Sequence, residues 1–170
     1  MLNSSFKSKL INFGPIILLY YLSISEVDTH FENYFEILSF NLQLIIIYFW
    51  VLKLPSAVGN GHVFFAGLIN DVVLGYPLGI SSLTFLSVSL VATYIKNMTV
   101  HTNITSDWFT FFLALLFSNF IFYLLVSNFS EISINFTEIS YNTFFTLMFF
   151  PLFWILFSFF NSLIRVSKHV

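Results

Sequence analysis

The sequence contains no cysteine and very few charged residues. The absence of cysteine excludes disulfide bonds, thiol catalysis and thiolate metal sites, although it does not identify the compartment. Only 8% of the 170 residues are charged, whereas a soluble domain usually carries about 25%. Because 58% of the residues are hydrophobic, the chain lacks the polar groups that cover a soluble surface. These deficits predict a single domain, residues 1–170, embedded in a lipid bilayer.

Sequence motifs of the common enzyme classes are also missing. There is no Gly-Lys-Ser/Thr phosphate loop, no His-Glu-x-x-His pair and no Gly-x-Ser-x-Gly elbow. Intramembrane aspartyl proteolysis needs two carboxylates in one site, and Asp71 is the only acidic residue within a predicted span. The net charge of −2 gives no basic surface for nucleic acid. We therefore predict a protein that is not an enzyme, with no catalytic residue, no cofactor and no metal site.

Six apolar runs are separated by the few charged residues and by one break that contains glycine and proline. A helix that crosses the hydrocarbon core of a bilayer needs about 20 residues. The predicted fold is therefore all-α, a polytopic membrane protein with six transmembrane helices. The predicted spans are residues 10–25, 37–52, 57–74, 78–95, 108–129 and 143–164.

The basic residues predict how these helices are oriented. Cytoplasmic loops of membrane proteins are enriched in lysine and arginine. If the N-terminus is inside, all six basic residues lie on the cytoplasmic side, and six of the eight acidic residues lie outside. Asp107 is the one acidic residue in an inner loop. Both termini are therefore predicted to be cytoplasmic, with these basic residues on the inner side: Lys7, Lys9, Lys53, Lys96, Arg165 and Lys168.

The segment of residues 65–79 differs from the rest of the chain. It holds three of the six glycines, one of the four prolines and the intramembrane Asp71. Gly67, Asp71 and Gly75 are spaced four residues apart, so on a helix they share a face. Small residues on one face let a neighbouring helix approach closely. Pro77 suits the first turn of the following helix.

Asp71 is a candidate functional residue, because a carboxylate inside a membrane is costly. It follows Lys53 by 18 residues, or about 27 Å of helix at about 1.5 Å per residue, which predicts a place near the outer interface. There it could stay solvated, or it could cap the next helix through backbone N–H groups near Leu78–Ile80. The residues leave a structural role in the hairpin and a direct binding role open.

Several other polar residues within predicted spans are interpreted as packing residues. His62 is predicted to be a hydrogen-bonded interface residue, since no second histidine or carboxylate stands at metal-ligand spacing in its helix. Asn119 and Asn161 are predicted to bond between helices. The three tryptophans are interpreted as interface anchors or packing residues.

The glycine, aspartate and proline pattern at the third-to-fourth helix junction resembles the family of rod shape-determining protein MreD. The matching residues are Gly67, Asp71, Gly75, Pro77, Leu78 and Gly79. The resemblance implies a non-catalytic scaffold in the bacterial inner membrane that supports rod shape and peptidoglycan synthesis within the cell-wall elongation machinery, the elongasome. It also implies that the partners are membrane proteins, namely MreC and through it MreB, RodA and its transpeptidase.

The same resemblance leaves an alternative function open. The MreD family is similar in fold to the substrate-binding components of energy-coupling-factor vitamin transporters. The alternative is therefore a substrate-binding membrane subunit of a small-molecule transporter, which would bind a ligand and associate with an ATPase and its coupling subunit.

Overall fold

The computed structural model describes residues 4–25, 40–55, 58–98, 103–130 and 136–168, with side chains from residue 13 to residue 162 within those ranges. The described residues form helices and contain no strand, which confirms the all-α prediction. Each helix overlaps one predicted span, in the same order. In chain order the helices are α1 (Ser4–Ser25), α2 (Leu42–Lys53), α3 (Asn60–Leu74), α4 (Ile80–Met98), α5 (Ile104–Phe129) and α6 (Phe136–Lys168).

The helices differ widely in their ability to cross a membrane alone. By length and composition, α5 and the Phe136–Ser162 part of α6 are long and apolar enough to cross, within the described ranges. The apolar helix Leu42–Lys53 is shorter, and it begins five residues after the predicted start of its span. The predicted first residues of that span, 37–39, lie outside the described part of the chain.

Helix α2 lies at the centre of the helical assembly. Every residue from Gln43 to Leu52 is buried, and α1, α4 and α6 all pack against it. A helix that is apolar on all sides is typical of a position surrounded by protein. Its 12 residues extend over about 18 Å at about 1.5 Å per residue. Non-helical backbone at its ends is compatible with a membrane only where protein encloses it.

Helices α3 and α4 form an antiparallel hairpin with an unusually close contact. A Cβ atom added to Gly67 would lie only 2.5 Å from the backbone nitrogen of Ser82, so only glycine fits this crossing. The Ser82 hydroxyl donates to the carbonyl oxygen of Phe64 at 3.1 Å. Farther along the hairpin, the Ser89 hydroxyl donates to Asn60 Oδ1 at 2.7 Å. The hairpin is therefore held by backbone proximity and polar contacts together.

Helix α6 contains a proline whose effect is compensated by α5. Pro151 lies inside the helix and has no N–H group, so the carbonyl oxygen of Leu147, four residues earlier, loses its intrahelical donor. The indole Nε1 of Trp108 donates to that oxygen at 3.0 Å. Trp108 is thus more than an anchor at an interface, because it supplies the hydrogen bond that Pro151 removes.

Candidate functional site

The predicted motif forms the turn between α3 and α4. Gly75 follows the last residue of α3 in the left-handed conformation, at φ 70°, and its N–H bonds to the carbonyl oxygen of Asp71. The N–H of Tyr76 bonds to the same oxygen at 2.9 Å. A residue in this conformation ends a helix, and glycine adopts it without steric cost. Gly79 also has a positive φ, 109°, so the turn contains two glycines in conformations that other residues rarely adopt.

Two predictions about this turn are wrong. Gly75 does not share a packing face with Gly67, because it lies beyond the end of α3 and a Cβ there would meet nothing within 4 Å. Pro77 does not occupy the first turn of α4, because that helix begins three residues later, at Ile80. Left-handed Gly75 ends α3 at Leu74, and the chain needs the next few residues to reverse direction before α4 can start.

The carboxylate of Asp71 joins the two ends of the turn. Its side chain has no exposed area. Oδ2 accepts a hydrogen bond from the N–H of Gly79, and Oδ1 accepts one from the N–H of Ser81, both at 2.7 Å. The first N–H groups of a helix have no partner within it, and a carboxylate makes strong, charge-assisted bonds with them. Of the two environments considered for Asp71, capping of α4 is observed, and the solvated one is wrong.

The helix length from which the depth of Asp71 was predicted also needs correction, whereas its place near the outer interface stays a prediction. The 18-residue count from Lys53 treated that stretch as continuous helix, but α2 ends at Lys53 and α3 begins only at Asn60. The helical part of that distance is therefore about 16 Å at about 1.5 Å per residue. Asp71 is buried because protein covers it, and two backbone N–H groups replace the hydrogen bonds that water would otherwise donate to its carboxylate.

A chain of polar side chains extends from this turn to the central helix. Gln43 Nε2 on α2 donates to Asn70 Oδ1 at 3.1 Å, and Asn70 Nδ2 donates to the Ser81 hydroxyl at 3.2 Å. Gln43, Asn70 and Ser81 are all buried. Sequence reasoning did not identify Gln43 or Asn70. The signals were present, since Gln43 is the only polar side chain in the apolar run 42–47 and Asn70 adjoins Asp71.

A cavity of about 290 Å³ opens beside Asn70 and Ser81. It lies among the start of α2, the α3–α4 hairpin, α5 and the start of α6. Four asparagines and two small hydroxyl residues contribute to its wall, together with apolar side chains. The lining residues are Asn41, Leu44, Asn70, Leu74, Tyr76, Ser81, Thr84, Phe85, Asn119, Phe122, Glu138, Ile139 and Asn142.

A second polar cluster lies near the opposite end of the helical assembly. Lys53 Nζ, at the end of α2, is 2.7 Å from Oδ2 of Asp107, in the first turn of α5. Trp154 Nε1 on α6 donates to the same oxygen at 2.8 Å, and the ammonium lies 5.5 Å from the centroid of the Trp154 ring. Asp107, which the charge pattern placed in an inner loop, is a buried helix residue paired with a lysine.

The remaining predicted polar residues have different outcomes. The Tyr20 hydroxyl lies 3.2 Å from His62 Nδ1, so His62 does bond between helices. Asn119 Nδ2 donates to Thr143 Oγ1 at 2.6 Å, which confirms the interhelical bond predicted for Asn119. Asn161 is buried, but its Oδ1 has no partner among the described residues. Within those residues, no three acidic or histidine side chains are placed to hold a metal ion.

Comparison with known proteins identifies the family. The chain matches no curated protein and no solved structure. A family model described as rod shape-determining protein MreD matches residues 7–160. The match includes the whole α3–α4 turn and both polar clusters. Because it covers most of the chain, the chain belongs to the MreD family of rod shape-determining membrane proteins.

Proposed function

We propose that the protein is a non-catalytic scaffold of the bacterial inner membrane that supports rod shape and peptidoglycan synthesis within the cell-wall elongation machinery. The family match over residues 7–160 carries this proposal. The closely packed α3–α4 hairpin supports it, because a scaffold needs a fixed geometry. Gly67 is covered by α4, so we assign it to holding the hairpin, and the turn with Leu78, which is 70% exposed, to contact with a partner.

The arrangement in the membrane is part of the same proposal. All six helices lie within the bilayer, with both termini in the cytoplasm. The short α2 is sheltered by its neighbours, which removes the need for it to span the hydrocarbon alone. The pairing of Asp107 with Lys53 supports the proposed threading of the helices, because it requires the end of α2 and the start of α5 to lie on the same side of the membrane.

Depletion of the protein in its rod-shaped host tests the proposed role. Cells depleted of the protein are expected to become round, and a plasmid copy is expected to restore the rod. The measurement is the ratio of cell length to width by light microscopy. Cells that keep their rod shape after the protein has disappeared from their membranes would overturn the proposal.

Affinity purification from the native membrane tests the proposed partners. The scaffold is expected to co-purify with MreC and, through it, with MreB, RodA and its transpeptidase. The alternative function, a substrate-binding membrane subunit of a transporter, is supported by one observation, the cavity beside Asn70 and Ser81. That alternative predicts an ATPase and its coupling subunit in place of MreC, so a single purification distinguishes the two.

A further inference from the structure

We propose that the cavity beside the α3–α4 turn binds a small neutral molecule that carries both hydroxyl and amide groups. A scaffold needs no ligand, so this inference goes beyond the proposed scaffold role and can fail independently of it. It also names the class of ligand that the alternative function leaves open. The site is formed by side chains from α2, α3, α4, α5 and α6. A ligand there would contact most of the helices at once.

The charge of the lining restricts the ligand. Among the residues that the structure describes, no lysine or arginine lines the cavity, and Glu138 is the one acidic side chain that does. Asp71 lies behind the wall, fully buried, with both oxygens already bonded to backbone N–H groups. A phosphate or carboxylate that entered would lose its water without gaining a cation, which is strongly unfavourable. The cavity therefore excludes anions.

The asparagines indicate which groups the ligand carries. Asn41 uses its Oδ1 to accept from the N–H of Leu44, and Asn119 uses its Nδ2 to donate to Thr143. An amide has both donors and acceptors, so Asn41 still has a donor and Asn119 an acceptor for the cavity. A ligand that satisfies both must itself present an acceptor and a donor. Amide and hydroxyl groups provide this combination without a charge.

The size and the apolar part of the lining indicate a compact ligand. A volume of about 290 Å³ is just below the range of about 300–1,000 Å³ for ligand sites. Tyr76 and Phe122, with ring centroids 5.9 Å apart in an edge-to-face arrangement, supply an apolar wall. These features fit one substituted ring better than a lipid chain or a peptide.

Binding of N-acetylglucosamine, which is neutral and carries an acetamide and hydroxyl groups, tests the inference. Full-length protein in lipid nanodiscs would be titrated with the sugar, and with its 6-phosphate as an anionic comparison, by isothermal calorimetry. The neutral sugar is expected to bind saturably and the phosphate at least tenfold more weakly. Leu74→Trp, at the cavity wall, should abolish binding, whereas Leu78→Trp, in the same turn but outside the lining, should not.

Three results would overturn the inference: no saturable binding of the neutral sugar, equal binding of its phosphate, or unchanged binding by a folded Leu74→Trp variant. If Leu74→Trp does not fold, Thr84→Val replaces it. Thr84 lines the cavity, and its hydroxyl bonds only to the carbonyl oxygen of Ile80 within the same helix. Loss of one ligand hydrogen bond of about 1 kcal/mol should weaken binding about fivefold, and unchanged affinity would contradict the inference.

Discussion

At the scale of single residues, the burial of Asp71 depends on two backbone N–H groups. Each lies 2.7 Å from a different oxygen of the carboxylate, so charge and geometry are matched. A buried carboxylate without such donors would be strongly destabilising. The residue therefore links the end of α3 to the start of α4, and its substitution distinguishes a structural role from a binding role.

Asp71→Asn is expected to lower the amount of folded protein in the membrane. An asparagine keeps one acceptor, but its amide nitrogen would face an N–H group, so one bond is lost and a donor is left unsatisfied, at a cost of about 1–3 kcal/mol. The measurement is the membrane level of the tagged protein together with its melting temperature in detergent. Normal levels with lost function would instead favour a binding role for Asp71.

The sequence allowed part of this site to be predicted, and the limits have physical reasons. Capping by Asp71 was one of two environments that a carboxylate just before a glycine-rich turn suggested, because local spacing determines such contacts. The burial of Asp71 could not be predicted, since it depends on which helices cover the turn. The pairing of Lys53 with Asp107 could not be predicted either. The charge pattern placed both residues on the inner side, but it did not indicate that α2 and α5 are neighbours there.

At the scale of the elements, the hairpin depends on the close approach of its two helices at Gly67. Gly67→Ala should force α3 and α4 apart, because the new Cβ would lie 2.9 Å from the carbonyl carbon of Ser81, which is backbone and cannot rotate away. Overpacking of this kind costs about 1–3 kcal/mol. The readout is the melting temperature of the purified protein.

Gly61→Ala, in the same helix, is the control for that substitution. A Cβ at Gly61 meets nothing within 4 Å, so the variant should be neutral or more stable by up to about 1 kcal/mol, as expected for alanine in a helix. Equal melting temperatures for the two variants would show that the close contact at Gly67 does not hold the hairpin.

The contact between α5 and α6 permits a test based on coupled substitutions. Trp108→Phe removes the donor to the carbonyl oxygen of Leu147 and should destabilise the protein by about 1–3 kcal/mol, because that oxygen is then unsatisfied. Pro151→Ala restores a backbone N–H four residues after Leu147. In the Pro151→Ala background, Trp108→Phe should therefore cost less. Additive losses in melting temperature would contradict the proposed compensation.

The central position of α2 could not be predicted from its sequence. Lipid and a protein core both favour apolar side chains. The sequence of a helix that is apolar on all sides therefore does not show whether lipid or protein surrounds it. The same ambiguity explains the difference in length. The predicted span assumed a helix that crosses the hydrocarbon, whereas α2 has only 12 residues because neighbouring helices, and not lipid, surround it.

At the scale of the whole molecule, the proposed orientation in the membrane rests on the distribution of charge, and it is testable because the chain has no cysteine. Single cysteines can be introduced at Leu78, in the α3–α4 turn, and at Met98, the last residue of α4. Their side chains are 70% and 66% exposed. Neither side chain makes a described hydrogen bond, so both variants should fold.

In cells with a permeabilised outer membrane, a membrane-impermeant maleimide should label Leu78→Cys. Met98→Cys should react only after the inner membrane is also opened, because the positive-inside rule places the Lys96 end of α4 in the cytoplasm. The unmodified chain provides a background free of thiols. Labelling of Met98→Cys from outside with protection of Leu78→Cys would invert the proposed topology. It would also place the turn capped by Asp71, with the cavity beside it, on the cytoplasmic side, where MreB rather than periplasmic MreC could reach it.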